Sequence, residues 1–258
     1  MNDVKVMGIV NVTPDSFSDG GNFFESDQAI QHAFQLIEEG ADILDIGGQS
    51  TRPGYIEISP EEEIRRIGPV IKAIREKSDI PISVDTYFPE VADYALNNGA
   101  TILNDVRGLD LEGMMAVAKK YPEADLVIMH SRDRRTELSV EEDIQQFYTE
   151  KYEACLKEGI DPTRIFFDPG IGFGKSLEEN IDILKYPDKY RFKDFPLLYG
   201  VSRKRTIAHL VDEDRPLERD YASVTATLYS AVKGVEVIRV HQVKGMKDAL
   251  KVWQQLAD

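Results

Sequence analysis

The chain has 258 residues, a length that suits one α/β barrel and is ample for a full hydrophobic core. A net charge of −15 excludes a phosphate-backbone partner, so nucleic acid is not expected, and it disfavours an anionic membrane surface. A single cysteine, Cys155, rules out an intrachain disulfide, no apolar run approaches the roughly 20 residues that span a bilayer, and the first residues hold no secretory apolar segment; a cytoplasmic protein is expected.

Eight short apolar runs follow one another at near-even spacing, and each ends in a polar or small residue. Residues 6–10 stop at Asn11, and a helical pattern covers 27–39 with Ile30, Ala33, Phe34 and Ile37 on one face. Residues 43–46 contain Asp45 and lead into Gly47-Gly48-Gln49-Ser50-Thr51-Arg52-Pro53-Gly54; a helix is expected over 61–77. Residues 80–84 stop at Asp85 before a helix over 89–98, and 102–103 stop at Asn104 and Asp105 before a helix over 114–120. Residues 126–129 stop at His130 before a helix over 141–158, and 165–167 stop at Asp168 before a helix over 177–185. Residues 195–201 stop at Ser202 before a helix over 222–233, and 235–240 contain Arg239 and stop at His241 before a helix over 246–256. Ser59, Ser139 and Ser176 each precede Glu-rich helix starts that fit a capping box. Gly40, Gly99 and Gly159 suit left-handed helix ends.

Strand then helix, eight times, with no linker or composition break, predicts a single-domain (β/α)8 TIM barrel over residues 1–258. A doubly wound open sheet shares the alternation, but Asn11-Val12-Thr13-Pro14-Asp15 after the first strand is no Gly-rich dinucleotide turn. In a barrel all eight strand ends meet at one rim, so these scattered residues would surround one pocket. Asp85, Asn104 and Asp168 there would suit a heterocycle with several N–H donors, or else bond internally to loop backbone. Arg239 and His241 sit two apart on one strand and so share a face, and Ser202-Arg203-Lys204-Arg205 follows the seventh strand; both lie where barrels commonly hold phosphate. Asp168-Pro169-Gly170-Ile171-Gly172-Phe173-Gly174-Lys175-Ser176 misses the phosphate-loop spacing by one residue and reads as a Gly-rich turn that lets backbone approach a ligand. The four histidines show no zinc spacing; magnesium held mainly by substrate phosphates stays open.

The segments Asn11-Val12-Thr13-Pro14-Asp15-Ser16-Phe17-Ser18-Asp19-Gly20-Gly21 and Asp45 to Gly54 resemble the hallmark segments of the dihydropteroate synthase family of pterin-binding barrels. Asp168 to Gly174, Gly200-Val201-Ser202-Arg203-Lys204 and Arg239-Val240-His241 match its later segments in order. The resemblance covers the whole chain. It implies the joining of 6-hydroxymethyl-7,8-dihydropterin diphosphate to p-aminobenzoate, with release of diphosphate, in folate biosynthesis. It implies a pterin site of Asp85, Asn104, Asp168, Lys204, Met129, Gly200 and Phe173, with Asp85, Lys204 and Asp168 catalytic. It implies diphosphate contacts from Asn11, Thr51, Arg239 and His241, with Asn11 also a Mg2+ ligand. The p-aminobenzoate site, where sulfonamide inhibitors compete, would be Thr51, Arg52, Pro53, Phe173, Ser202 and Lys204, and the protein would be a homodimer.

The chain departs from the family pattern at three places: Gln49 stands where Glu is usual, Gln242 where Asp is usual, and His130 is followed by Ser131-Arg132-Asp133-Arg134-Arg135. Two other functions share parts of the pattern. A pterin-binding methyltransferase that serves a corrinoid protein would use the Asp/Asn/Asp set without needing the cations. A non-catalytic pterin-binding paralogue would tolerate Gln49 and Gln242.

Overall fold

The computed structural model describes residues 4–13, 22–49 and 56–257, with backbone only for 22–25. The elements in chain order are β1 (Lys5–Asn11), α1 (Asn22–Glu38), β2 (Ile43–Gly47), α2 (Pro60–Arg75), β3 (Ile82–Asp85), α3 (Pro89–Asn97), β4 (Ile102–Asp105), α4 (Met114–Lys120) and β5 (Asp125–Met129). They continue with α5 (Val140–Lys157), β6 (Ile165–Asp168), α6 (Leu177–Lys185), β7 (Leu198–Tyr199), α7 (Arg205–Val211), α8 (Asp220–Val232), β8 (Val237–Val240) and α9 (Val243–Ala257). All strands are parallel, in the order β6-β5-β4-β3-β2-β1-β8-β7. A single bridge from Phe167 to Leu197 joins the two ends, so the sheet is a barrel that is nearly closed.

Alternation along the strands sets the interior. One layer of inward side chains is apolar: Met7, Ile43, Ile102, Val127, Leu198 and Val237, with Phe166 packed against it. Two residues further along the same strands come Ile9, Asp45, Asn104, Met129, Gly200, Arg239 and Asp168. Side chains two apart share a face, so these point the same way, one layer higher. The polar layer therefore sits on an apolar floor, at the C-terminal mouth of the barrel. A second, larger apolar core fills the space between the strands and the helices around them.

Three expectations need correction. β7 is Leu198–Tyr199 rather than 195–201. Pro196 has no N–H to give to a ladder, and Gly200 and Val201 already turn into the following loop. The segment between β7 and β8 holds two helices among the described residues, not one. α7 has seven residues and no side-chain cap at Lys204, so it left no boundary signal in the sequence. The capping boxes are complete at Ser139 and Ser176. At Ser59 the hydroxyl accepts from the Glu62 N–H, but the Glu62 carboxylate turns to Arg65 and Arg66 instead of back to the cap. Gly40, Gly99 and Gly159 have the positive φ expected of helix ends.

Replacing Ser139 by Ala removes the side-chain cap of α5, an 18-residue helix. We expect a loss of about 1 kcal/mol, read as a fall in Tm of about 2–4 °C.

Candidate active site

Arg239 is the centre of the polar layer. Its Nε donates to Asp45 Oδ2 at 2.5 Å and its Nη2 to Asp85 Oδ2 at 2.7 Å. The other Asp45 oxygen accepts from the Ser83 hydroxyl at 2.6 Å and from the Asn104 amide at 3.2 Å. One buried ion cluster thus ties together β2, β3, β4 and β8. Burial opposes the charge on Arg239, but Asp45 and Asp85 outweigh it and hold the guanidinium above its ordinary range. Burial pushes Asp85 up to about 7 against the pull of Arg239. Asp85 Oδ1 is buried and accepts no hydrogen bond from the described residues.

Lys204 enters from the other side. Its Nζ donates to the Ile171 carbonyl at 2.7 Å and lies 4.7 Å from the centre of the Phe173 ring. Burial lowers it to about 8, while the carboxylates of Asp168 and Asp85 favour its charge. Asp168 ends β6 and accepts the Gly170 N–H at 2.7 Å; burial raises its pKa and Lys204 opposes that rise. A side chain at Gly200 would stand 3.6 Å from Arg239 Cδ and 3.9 Å from Lys204 Nζ, so both cations flank that position. Met129 and Phe173 join Tyr87 and Val106 in an apolar group beside the polar layer. The site therefore combines two cations, three carboxylates, one amide and an apolar wall.

Ser202 and His241 form a second pair on the rim, 2.9 Å apart through Oγ and Nδ1, two residues beyond Arg239 along the β8 path. Asn11 is half-buried at the end of β1, in register with Gly47. Of the basic run after β7, only Lys204 has been placed in the central group: Arg203 is held by both oxygens of Asp220. Thr51, Arg52 and Pro53, and most of the loops 12–21 and 49–55, lie outside the described residues.

Each departure from the family pattern finds local partners. Gln49 donates to the Tyr87 hydroxyl at 2.6 Å and accepts the Ile58 N–H at 2.8 Å. Gln242 donates to Asp220 at 2.9 Å, where an acid would set two carboxylates together. In the fifth loop Arg132 bridges Asp110 and Glu150, Arg134 bridges Asp143 and Glu179, and Arg135 also meets Asp143. Those arginines fasten the loop to α5, to α6 and to the loop after β4.

Two residues escaped the sequence reading of the site. Asp45 was noted inside a strand but assigned no role; its signal was a carboxylate in the middle of an otherwise apolar run. Lys175 closes the Gly-rich turn, donating to the carbonyls of His130, Gly170 and Phe173 at 3.0–3.1 Å. Gly170 has φ +69, and a Cβ there would run into the His130 carbonyl, so only glycine lets the two loops meet this closely. Burial first, then the neighbouring Lys175, lowers His130 to about 4 and keeps the ring neutral.

The profile of the pterin-binding enzyme family matches residues 7–241. The chain belongs to that family. A dihydropteroate synthase of Streptococcus pyogenes is 44% identical over 256 residues, covering 98% of this chain and 96% of that protein. The solved dihydropteroate synthase of Xanthomonas albilineans in complex with 7,8-dihydropteroate superposes with a TM-score of 0.91 at 39% identity, covering 99% of this chain and 94% of that one. The Yersinia pestis dihydropteroate synthase, solved with a sulfonamide drug complex, gives 0.91 at 36% identity over 99% and 94%. The pterin-binding fold is thus shared over the full length, and the (β/α)8 expectation holds.

Arg239→Met would leave Asp45 and Asp85 buried without their cation. Breaking a buried pair in this way costs about 3–5 kcal/mol. Asp85 already has a folded pKa above its ordinary value, so its charge is what folding penalises, and the penalty grows as pH rises through about 7. Urea unfolding should therefore show a larger deficit for the variant at pH 8 than at pH 5.

Proposed function

We infer that the chain catalyses the dihydropteroate synthase reaction, joining 6-hydroxymethyl-7,8-dihydropterin diphosphate to p-aminobenzoate and releasing diphosphate. The observation that carries this reading is one buried polar layer in which Lys204 and Arg239, the latter joined to Asp85, flank the same position at Gly200, on a chain with full-length dihydropteroate synthase relatives. A pterin offers adjacent N–H donors, which Asp168 can accept in pairs. Asn104 and Lys204 take further polar edges, and Met129, Gly200 and Phe173 line the ring. Asp85 Oδ1, buried and without a donor among the described residues, would supply negative charge beside the exocyclic methylene.

The C–O bond to diphosphate breaks with its electron pair going to the leaving group. The amine nitrogen of p-aminobenzoate then attacks the methylene carbon and releases a proton. No enzyme nucleophile is required. Asp85 stabilises the positive charge that develops on the pterin, an electrostatic term that is strongest where water is excluded. p-Aminobenzoate would lie against Phe173, Ser202 and Lys204, with Thr51, Arg52 and Pro53 completing its site, and sulfonamides would compete there.

Diphosphate would be held by Asn11, Thr51, Arg239 and His241. The polar layer has two cations against three carboxylates, on a protein of net charge −15, so an anionic leaving group needs a further positive charge. A magnesium ion fits that need. No group of three or more His, Cys, Asp or Glu residues suited to a metal occurs among the described residues. Asn11 would instead help to hold an ion carried mainly on substrate phosphates. When bound, it would neutralise charge on the departing diphosphate.

We propose a homodimer through α7, α8 and the turn between them. Leu210, Val211, Leu217, Tyr221 and Tyr229 are exposed there, Leu217 at 70% and Tyr221 at 90%. Large apolar side chains left exposed on neighbouring elements, with Leu217 and Tyr221 lining one cleft, support an interaction surface there. A reducing compartment fits the buried free thiol of Cys155, and no described helix is long and apolar enough to cross a membrane.

Diphosphate release by the wild type should require the pterin substrate and p-aminobenzoate together, and should fall on chelation of magnesium. Lys204→Ala and Asp168→Ala should each lower kcat/KM by at least about 100-fold with melting curves still cooperative. Activity near wild type in either variant would remove the site as described. Sedimentation should give a dimer that Tyr221→Glu converts to a monomer; a monomeric wild type would contradict the interface.

A further inference from the structure

Asp45 is itself assigned no contact with substrate, yet it bonds to two residues that are, Asn104 and Arg239. It is fully buried and makes three contacts: Ser83 Oγ and Asn104 Nδ2 on one oxygen, Arg239 Nε on the other. Arg239 and Ser83 bracket the carboxylate, so it is held as an acceptor. A carboxylate oxygen has no hydrogen to give, so the Asn104 group facing it is the NH2. The Asn104 carbonyl must then point the other way.

We propose that Asp45 is a positioning residue that sets the hydrogen-bond polarity of the pterin site, by fixing the Asn104 amide so that its carbonyl oxygen faces the ligand. This inference rests on the pterin site described above and extends it. With Asp45 in place, the Asn104 side presents an acceptor to the ring, alongside the acceptors of Asp168 and Asp85 Oδ1. The site then selects a heterocycle edge rich in N–H donors and rejects one that carries ring nitrogens or carbonyls at that position.

The substitution Asp45→Asn reads out this polarity. The new amide keeps its oxygen toward the Arg239 guanidinium, because its NH2 there would set donor against donor. Its NH2 therefore faces Asn104. Asn104 must rotate to offer its oxygen, which turns its own NH2 toward the ligand. Adding Asn104→Asp reverses this: the new carboxylate accepts from the amide at position 45 with one oxygen and offers the other to the pterin.

Calorimetric titration with 6-hydroxymethyl-7,8-dihydropterin, kept reduced, tests the proposal. Binding by the wild type is the reference, and its absence would remove the pterin site itself rather than the role of Asp45. Asp45→Asn should weaken binding by about 30-fold, as expected for an acceptor turned into a donor against a buried N–H. The double variant Asp45→Asn/Asn104→Asp should recover at least about 10-fold of that loss, whereas a purely structural role for Asp45 would make the second change harmful or neutral. Wild-type affinity in Asp45→Asn, or no recovery in a folded double variant, would overturn the proposal. If Asp45→Asn does not fold, neutron diffraction of the wild type locates the Asn104 amide deuterons directly. Deuterons on the Asp45 side support the assignment, and deuterons facing the barrel mouth overturn it.

Discussion

A guanidinium clamped between two carboxylates organises the mouth of this barrel. Arg239 reaches from β8 to Asp45 on β2 and Asp85 on β3. Asp45 in turn holds Asn104 on β4. None of these groups would be tolerable alone at this depth, since an unpaired buried charge is penalised by several kcal/mol. Together they satisfy one another and leave oxygens over: one of Asp85, and the carbonyl of Asn104. The stability of the layer and its capacity to bind a heterocycle come from the same set of contacts.

The apolar floor beneath explains why so polar a layer can exist in a barrel interior. Met7, Ile43, Ile102, Val127, Leu198 and Val237 fill the space below and keep water from reaching the cluster that way. Charge in the layer is correspondingly poorly solvated, so burial raises Asp85 and Asp168 and lowers Lys204. The two cations of the layer face three carboxylates, so on a negatively charged protein an anionic substrate needs positive charge beyond the layer itself.

Much of this was legible beforehand. The strand-end positions of Asp85, Asn104 and Asp168 follow from where apolar runs stop, and period-two alternation places Arg239 inward. Asp45 was harder to place, because a carboxylate within Ile43–Gly47 has no local partner: its cation lies 194 positions away. Lys175 was hidden for a different reason. It looked like the end of an imperfect phosphate loop, and its true partners are backbone carbonyls of two loops, which no side-chain pattern records. The short β7 and the uncapped α7 were lost because proline and brief elements leave weak periodic signals. The arginines of the fifth loop depart from the family pattern yet find acidic partners, so that variation alters how the loop is fastened without adding charge to the pocket.

The most direct measurement is a crystal structure of the protein with 7,8-dihydropteroate bound. The account predicts the pterin ring above the apolar floor, with its N–H edge within hydrogen-bond distance of Asp168 and the Asn104 carbonyl, and with Arg239 still joined to Asp45. A ring bound outside this layer, or one that displaces Arg239 from Asp45, would contradict it.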